Sequence, residues 1–194
     1  MHFYHPNSYD YQWTGRATDY PYELFWQMVH TLDLNTLHSP SIKPAYALLG
    51  FACDTGIKRN LGRIGAAQGP NAIREALAKL APPQPLHIFD AGNLLNIQDA
   101  LEDAQDELAT CVYTLLNQHF FPIILGGGHE TAWGHFLGLH RFYQDKNIAI
   151  LNFDAHFDLR PFTAPHQPNS GTPFRQIQAY KAAHQQPFDY YCAG

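Results

Sequence analysis

Cysteine is scarce in this chain. Cys53, Cys111 and Cys192 are the only three among 194 residues, and no two of them share a CxxC or zinc-knuckle spacing. That excludes a disulfide framework and a thiolate metal site. An odd, sparse set suits a reducing compartment, where cysteine acts as a small apolar residue. Basic charge is also in short supply: lysine and arginine total 12 against 17 aspartates and glutamates, a formal net charge of -5. A nucleic-acid surface built on a basic stripe is therefore not expected. Trp13, Trp26 and Trp133 have no basic clusters beside them, so core and interface packing is expected of them rather than base stacking. The longest apolar run, Ala45 to Cys53, is far too short to cross a bilayer. The opening residues, Met1-His2-Phe3-Tyr4-His5-Pro6, have no cationic start leading into an apolar stretch, so no signal peptide is expected. These absences predict a soluble cytoplasmic protein with neither nucleic acid nor membrane as partner, and leave a homo-oligomer open.

What is present is an ordinary globular balance, 45% hydrophobic and 15% charged residues, in a length that fits one domain over 1–194. The first twenty residues read as an irregular arm. Pro21 then opens a predicted helix with Leu24, Met28 and Leu32 on one face. Ala45 to Phe51 reads as a strand covered on both sides. After a glycine-rich loop, Gly69-Pro70 starts a helix whose apolar face is Ile73, Leu77 and Leu80, ended by Pro82-Pro83. Leu86–Phe89 reads as a strand, 97–116 as a long amphipathic helix, Phe121–Leu125 as a strand and Glu130–Phe142 as a helix. Asn147–Phe153 and Phe188–Ala193 read as further strands. Buried-type strands alternating with helices predict an α/β fold, a three-layer αβα sandwich on a mostly parallel sheet.

In such sheets ligands bind beyond the carboxyl ends of the strands, and two motifs lie there. Gly126-Gly127-Gly128-His129-Glu130 follows the strand ending at Leu125, its glycines freeing space at a sharp turn that presents His129. No GxxxxGK[ST] or GxGxxG pattern surrounds it to mark a phosphate loop. Glu130 is expected to cap the following helix. Asp154-Ala155-His156-Phe157-Asp158 follows the strand ending at Phe153. In an extended segment Asp154, His156 and Asp158 point the same way. Two carboxylates flanking a histidine repel unless a cation sits between them. Mixed carboxylate and imidazole ligands suit Mn²⁺, Fe²⁺, Co²⁺, Ni²⁺ or Zn²⁺. The competing readings are a hydrogen-bonded structural histidine for His129 and a plain solvated turn for Asp-x-His-x-Asp.

The two motifs together resemble the ureohydrolase superfamily of arginase, agmatinase and formimidoylglutamase, as does the helix start Gly69-Pro70-Asn71-Ala72-Ile73-Arg74. Within it, the stretches Gly50–Asp54, Arg59–Ala67, His129–His135 and Ser170–Phe174 look most like formimidoylglutamase. The resemblance implies an arginase-like fold and two Mn²⁺ ions. His129, Asp154 and Asp158 would hold one ion, and His156 with a bridging Asp154 the other. It implies hydrolysis of N-formimidoyl-L-glutamate to L-glutamate and formamide in histidine degradation, by a hydroxide bridging the two ions. Asp158 would hydrogen-bond that hydroxide and deliver a proton to the leaving nitrogen. An agmatinase or another ureohydrolase is the alternative. Arginases carry a further active-site histidine where this chain has Phe174, which points away from arginase.

The glutamyl end of such a substrate needs cationic and polar donors. Arg63, Arg160 and Arg175, with Ser170 and Thr172, are the candidates, because arginine binds carboxylates in bidentate fashion. A further Asp-x-Asp pair of the superfamily has no counterpart: after Phe174 there is only Asp189. The fold is thus expected to be incomplete at its C-terminal end and the second metal to be short of ligands. That leaves a fragment of a longer enzyme, or a shortened, inactive form that acts as a binding or scaffold protein.

Overall fold

The computed structural model describes residues 1–6, 11–95, 97–144, 146–162 and 167–194. In chain order its strands are β1 (Tyr4–His5), β2 (Val29–Thr31), β3 (Ala45–Phe51), β4 (Ile88–Leu94), β5 (Phe120–Gly126), β6 (Ile150–Phe153) and β7 (Tyr190–Ala193). The helices are α1 (Thr55–Arg59), α2 (Gly69–Ala78), α3 (Leu101–Asn117), α4 (Thr131–Tyr143) and α5 (Pro173–Ala183). Among the described residues, one sheet runs β1-β4-β3-β5, with β2 also on β4. Strands β2, β3, β4 and β5 are parallel and β1 antiparallel. β3 pairs with β5 from Ala45↔Phe120 to Phe51↔Gly126, so the two strands end side by side.

The strand period of two sorts β3 between two cores. Ala45, Ala47, Leu49 and Phe51 face α3, where Leu101, Leu108 and Leu115 are buried. Leu48 faces the opposite side, with Ile88, Leu125 and Leu77 of α2. Helices thus cover both faces, the α/β sandwich expected from the alternating pattern. α4 lies close on α3 because Gly134 and Gly138 carry no side chain there. A Cβ on Gly138 would stand 2.5 Å from Val112 Cβ and 2.7 Å from the Ala109 carbonyl oxygen.

β6 and β7 pair in parallel as a separate two-stranded sheet, so the expected single sheet is interrupted. One face of this pair packs on α4 and α5 through Phe136, Phe174 and Ile177; the other exposes Leu151, Phe153 and Tyr191. Buried Lys181 of α5 donates to the carbonyls of Ile148 (2.6 Å) and Pro187 (3.0 Å), fixing the starts of both strands. α5 is a helix that the sequence pattern did not announce.

Three sequence expectations are corrected. The arm is irregular only in part: Tyr4–His5 pairs with Asn93 and Leu94, and the Glu107 carboxylate accepts from the amides of His2, Phe3 and Tyr4. Residues 7–10 of the arm lie outside the described residues. The helix predicted after Pro21 is a single 3-10 turn, Phe25–Met28, followed directly by β2. Its Leu24 and Met28 are buried as expected, but β2 takes the next residues into the β4 ladder, where β-branched Val29 and Thr31 fit.

The third correction concerns a charge. α2 buries Pro70, Arg74 and Ala78, whereas Ile73 and Leu80 are exposed. Asp90, which seemed in sequence to end a strand at Phe89, sits fully buried inside β4. The two side chains meet: Arg74 Nε and Nη2 donate to the two oxygens of Asp90, each at 2.8 Å. Arg74 also donates to Asn93 Oδ1 (2.7 Å) and the Gly92 carbonyl (2.9 Å), and Trp13 Nε1 donates to Asp90 at 2.7 Å. Fully paired, the ions can be buried on the helix face that an apolar reading leaves out. Among the described residues, no helix is long and apolar enough to cross a membrane.

Two stability changes are expected. Arg74→Ala strands the Asp90 carboxylate and should cost about 3–5 kcal/mol in urea unfolding; Arg74→Lys should recover only part, since an ammonium cannot fork across both oxygens. A loss within experimental error would show that the pair is not holding α2 on the sheet. Gly138→Ala should cost about 1–3 kcal/mol by forcing α4 off α3, and an unchanged unfolding midpoint would contradict that close contact.

Candidate metal centre

The tips of β3, β5 and β6 converge on one cavity of about 320 Å³. At β5 the chain turns through Gly126-Gly127-Gly128. Gly127 lies directly against the Cys53 backbone, where any Cβ would collide, and the Gly128 amide donates to the Cys53 carbonyl at 2.8 Å. The glycines thus serve a close approach between the ends of two strands. They hand the chain to His129, whose ring stands edge-on to Phe174 at 5.3 Å. Phe174 rests in turn on Tyr190 at 4.6 Å, and the Tyr190 hydroxyl donates to the Phe157 carbonyl at 2.9 Å. Phe174 therefore backs a site side chain.

His129, Asp154 and Asp158 offer ligand atoms that all lie within 4.8 Å of one another. His129 Nδ1 is 2.6 Å from Asp158 Oδ2 and 3.3 Å from Asp154 Oδ2. The other Asp154 oxygen, Oδ1, accepts from the His156 amide at 2.9 Å and lies 3.4 Å from His156 Nδ1. That amide, more than the nearby His129 ring, holds the Asp154 carboxyl below the usual carboxylate range. Each oxygen of Asp154 thus addresses a different imidazole.

The simple alternation expected for 154–158 is not what gathers them. Residues 154–156 form a bend, and Asp158 adopts a φ of 46°, a left-handed conformation that aspartate tolerates better than most residues. His156 consequently sits apart, with 78% of its side chain exposed. The donor set fits a divalent cation: one imidazole and two carboxylates, hard to borderline ligands, with acidic charge left over for a cation to balance. For a second ion the described residues offer Asp154 Oδ1 and His156 alone. Asp189 lies at the opposite end of β7, where its side chain accepts from Asn147.

Of the proposed substrate contacts, two line the cavity and three do not. Arg160 and Ser170 do, with Asn60 and Ile57 of the α1 region. Thr172 is fully buried, its hydroxyl engaged with Asn169 and Gln176. Arg175 lies in the first turn of α5, exposed and bonded to Gln178 at 3.0 Å, and Arg63 is exposed in a loop outside the lining. Glu130 does not cap α4 with its side chain. It turns inward instead and accepts from the Gly56 amide at 2.8 Å; burial pushes its carboxyl above the ordinary range. The Gly56 carbonyl accepts from the Ser170 amide at 3.0 Å, joining the β5 turn to the loop carrying Ser170. Arg59 clamps the same region, forked onto Glu102 and bonded to the carbonyls of Asp99 and Pro168. Asn60 and Ile57 line the cavity without having been expected there; Asn60 falls within the stretch Arg59–Ala67 but carries no charge to mark it.

The Arginase family model matches residues 44–194. The chain is 48% identical over 151 residues to the formimidoylglutamase of Chromobacterium violaceum, covering 78% of this chain and 48% of that one. To the Legionella pneumophila formimidoylglutamase it is 43% identical over 183 residues, 94% of this chain and 56% of the relative. Among solved structures, Trypanosoma cruzi formiminoglutamase with Mn²⁺ matches with a TM-score of 0.64 and 32% identity, over 74% of this chain and 51% of the other. The chain spans about half the length of the curated relatives it matches. Every residue lining the cavity falls within the matched stretch, and the chain belongs to the arginase family.

Proposed function

We propose that this chain carries the manganese-binding and carboxylate-facing parts of a formimidoylglutamase. The whole protein then hydrolyses N-formimidoyl-L-glutamate to L-glutamate and formamide, a step of histidine degradation. The observation that carries the reading is one cavity lined by side chains of opposite character. His129, Asp154 and Asp158 cluster in it, and Arg160 and Ser170 line it as well. The substrate has matching ends, an amidine and a pair of carboxylates. Agmatine, cationic and without a carboxylate, has no use for Arg160, which favours the formimidoyl compound over the agmatinase alternative.

In this reading His129, Asp154 and Asp158 hold one Mn²⁺, and Asp154 with His156 contributes to a second. Bound there, manganese supplies Lewis acidity and an activated water nucleophile at neutral pH. Asp158 is the acid–base group: it takes a proton as water adds to the amidine carbon. It then returns a proton to the glutamate nitrogen as the carbon–nitrogen bond breaks, leaving formamide and the free amine. Phe174 keeps the His129 ring in place, and Arg160 and Ser170 orient the glutamyl carboxylates. Arg63, Thr172 and Arg175 are not given substrate contacts.

The same proposal reads residues 1–194 as the N-terminal portion of one arginase-like domain in the cytoplasm. Its support is the set of unpaired thiols at Cys53, Cys111 and Cys192. Self-association into a homo-oligomer is part of it too, supported by the exposed apolar side chains of Leu151, Phe153 and Tyr191.

Metal analysis of the chain should find bound manganese, and Asp154→Asn should lower the affinity at least tenfold, more than His156→Ala. Formamide release from N-formimidoyl-L-glutamate, with none of the corresponding product from agmatine, is the activity expected. Metal bound by the whole protein without turnover would favour the binding or scaffold form. Asp158→Asn should lower turnover by about a hundredfold or more; retained turnover at full metal content would remove the proton-transfer role.

A further inference from the structure

In the same cavity as the carboxylates, three polar side chains from three different segments meet. Asn60, at the C-terminal end of α1, donates from Nδ2 to Ser170 Oγ at 3.1 Å. Its Oδ1 accepts from Arg160 Nη1, also at 3.1 Å. The amide has one workable orientation here, since reversing it would set its NH₂ group against a guanidinium that can only donate. That orientation decides what the neighbours have left to offer. Ser170, accepting from Asn60, keeps its own hydroxyl proton for another acceptor. Arg160 gives one N–H to Asn60 and retains the others of its fork. The ledge therefore presents donors and positive charge toward the cavity, with the acceptor needs of the protein already met behind it.

We propose that Asn60 is the positioning residue of a carboxylate subsite. It holds the Arg160 guanidinium and the Ser170 hydroxyl in register, so that together they take one carboxylate of a dicarboxylic amino-acid substrate. Asn60 itself need not touch the ligand. Its own place is fixed from behind. The Asn60 amide closes α1 onto the carbonyls of Gly56 and Ile57. The adjoining Arg59 is clamped to Glu102, Asp99 and Pro168. The loop carrying Ser170 is tied to Gly56 through its amide, and the Arg160 amide donates to the Gly171 carbonyl at 3.0 Å. Arg160 itself is exposed, and a long exposed arginine left alone samples many rotamers. Fixing one of them lowers the ordering cost of binding, which is how a side chain that makes no contact raises affinity.

The inference rests on the formimidoylglutamate reading of the same cavity, and the test keeps the two apart. Binding of L-glutamate to the manganese-loaded chain is measured by isothermal titration calorimetry, and metal content and thermal midpoint are recorded for each variant. Asn60→Ala should weaken L-glutamate about tenfold and leave manganese content unchanged. Arg160→Ala should weaken it at least as much. Adding Asn60→Ala to Arg160→Ala should bring little further loss, because Asn60 acts through the arginine. Asn60→Asp preserves size and carries the test if the alanine variant does not fold. Its carboxylate pairs with Arg160 and should likewise weaken the ligand. Unchanged affinity in both Asn60 variants, full additivity with Arg160→Ala, or no L-glutamate binding by the parent chain would overturn the proposal. Formamide release without L-glutamate binding overturns the subsite alone. L-Glutamate binding with the expected coupling but no formamide release by the whole protein overturns the activity and leaves the subsite standing.

Discussion

The buried ion pair of Arg74 and Asp90 is the constraint on which the arrangement of the main sheet rests. Taking both charges out of water costs several kcal/mol per ion, and only a closely matched set of partners offsets it. Here the matching is complete on the arginine side: both Asp90 oxygens, Asn93 and the Gly92 carbonyl are engaged. One pair thereby fixes three things. α2 is held at a set rotation on β4, Trp13 of the N-terminal arm is drawn onto the same carboxylate, and β4 continues through a residue that would otherwise end it. The consequence reaches the cavity, because the start of α2 abuts the β5 turn. A Cβ on Gly69 would stand 2.7 Å from the Gly126 carbonyl oxygen. The helix cannot shift without moving the glycines that present His129.

That pair also marks the limit of what the amino-acid order reveals. Where burial follows hydrophobicity, the pattern was sufficient: β3, β5 and α3 fall close to where apolar spacing puts them, and the α/β layering follows. Where burial follows charge pairing, it failed. Ile73 and Leu80 read as the inner face of α2 and are outside, because Arg74 has a partner sixteen residues on in β4 that no local window contains. The 3-10 turn and β2 after Pro21 were misread as a helix for a related reason. Leu24 and Met28 have helical spacing, but the ladder to β4 is a non-local contact that overrides propensity.

The candidate site divides in the same way. Residue types were legible: an imidazole at one strand tip and a carboxylate–imidazole–carboxylate motif at another are enough to point to a cation. Their geometry was not. Alternation along an extended chain predicts that Asp154, His156 and Asp158 converge, whereas the structure gathers Asp154 and Asp158 around His129 by a bend and a positive φ. Which arginines face the cavity was equally hidden, since Arg63, Arg160 and Arg175 are alike in composition and differ only in where their backbones run. Asn60 carries no charge and titrates nothing, so no chemical rule singles it out. Its importance comes from standing between two other side chains.

The acidic and basic side chains that line the cavity place opposite demands on one small volume, and this explains why so many hydrogen bonds tie the surrounding segments together. Carboxylates that repel each other need a cation, and a guanidinium in the same cavity would satisfy that need if it could reach them. An Arg160 salt bridge to Asp154 or Asp158 would use up both groups, leaving neither free for a ligand. The structure keeps the guanidinium on Asn60 instead, while His129 stands between the two aspartates. The Arg59 clamp, the Gly56–Ser170 backbone bond and the inward turn of Glu130 hold the segments that make this separation. Backbone hydrogen bonds, the Asn60 amide and the Arg59–Glu102 pair together let one cavity of about 320 Å³ be lined by both carboxylates and a guanidinium that do not pair with each other.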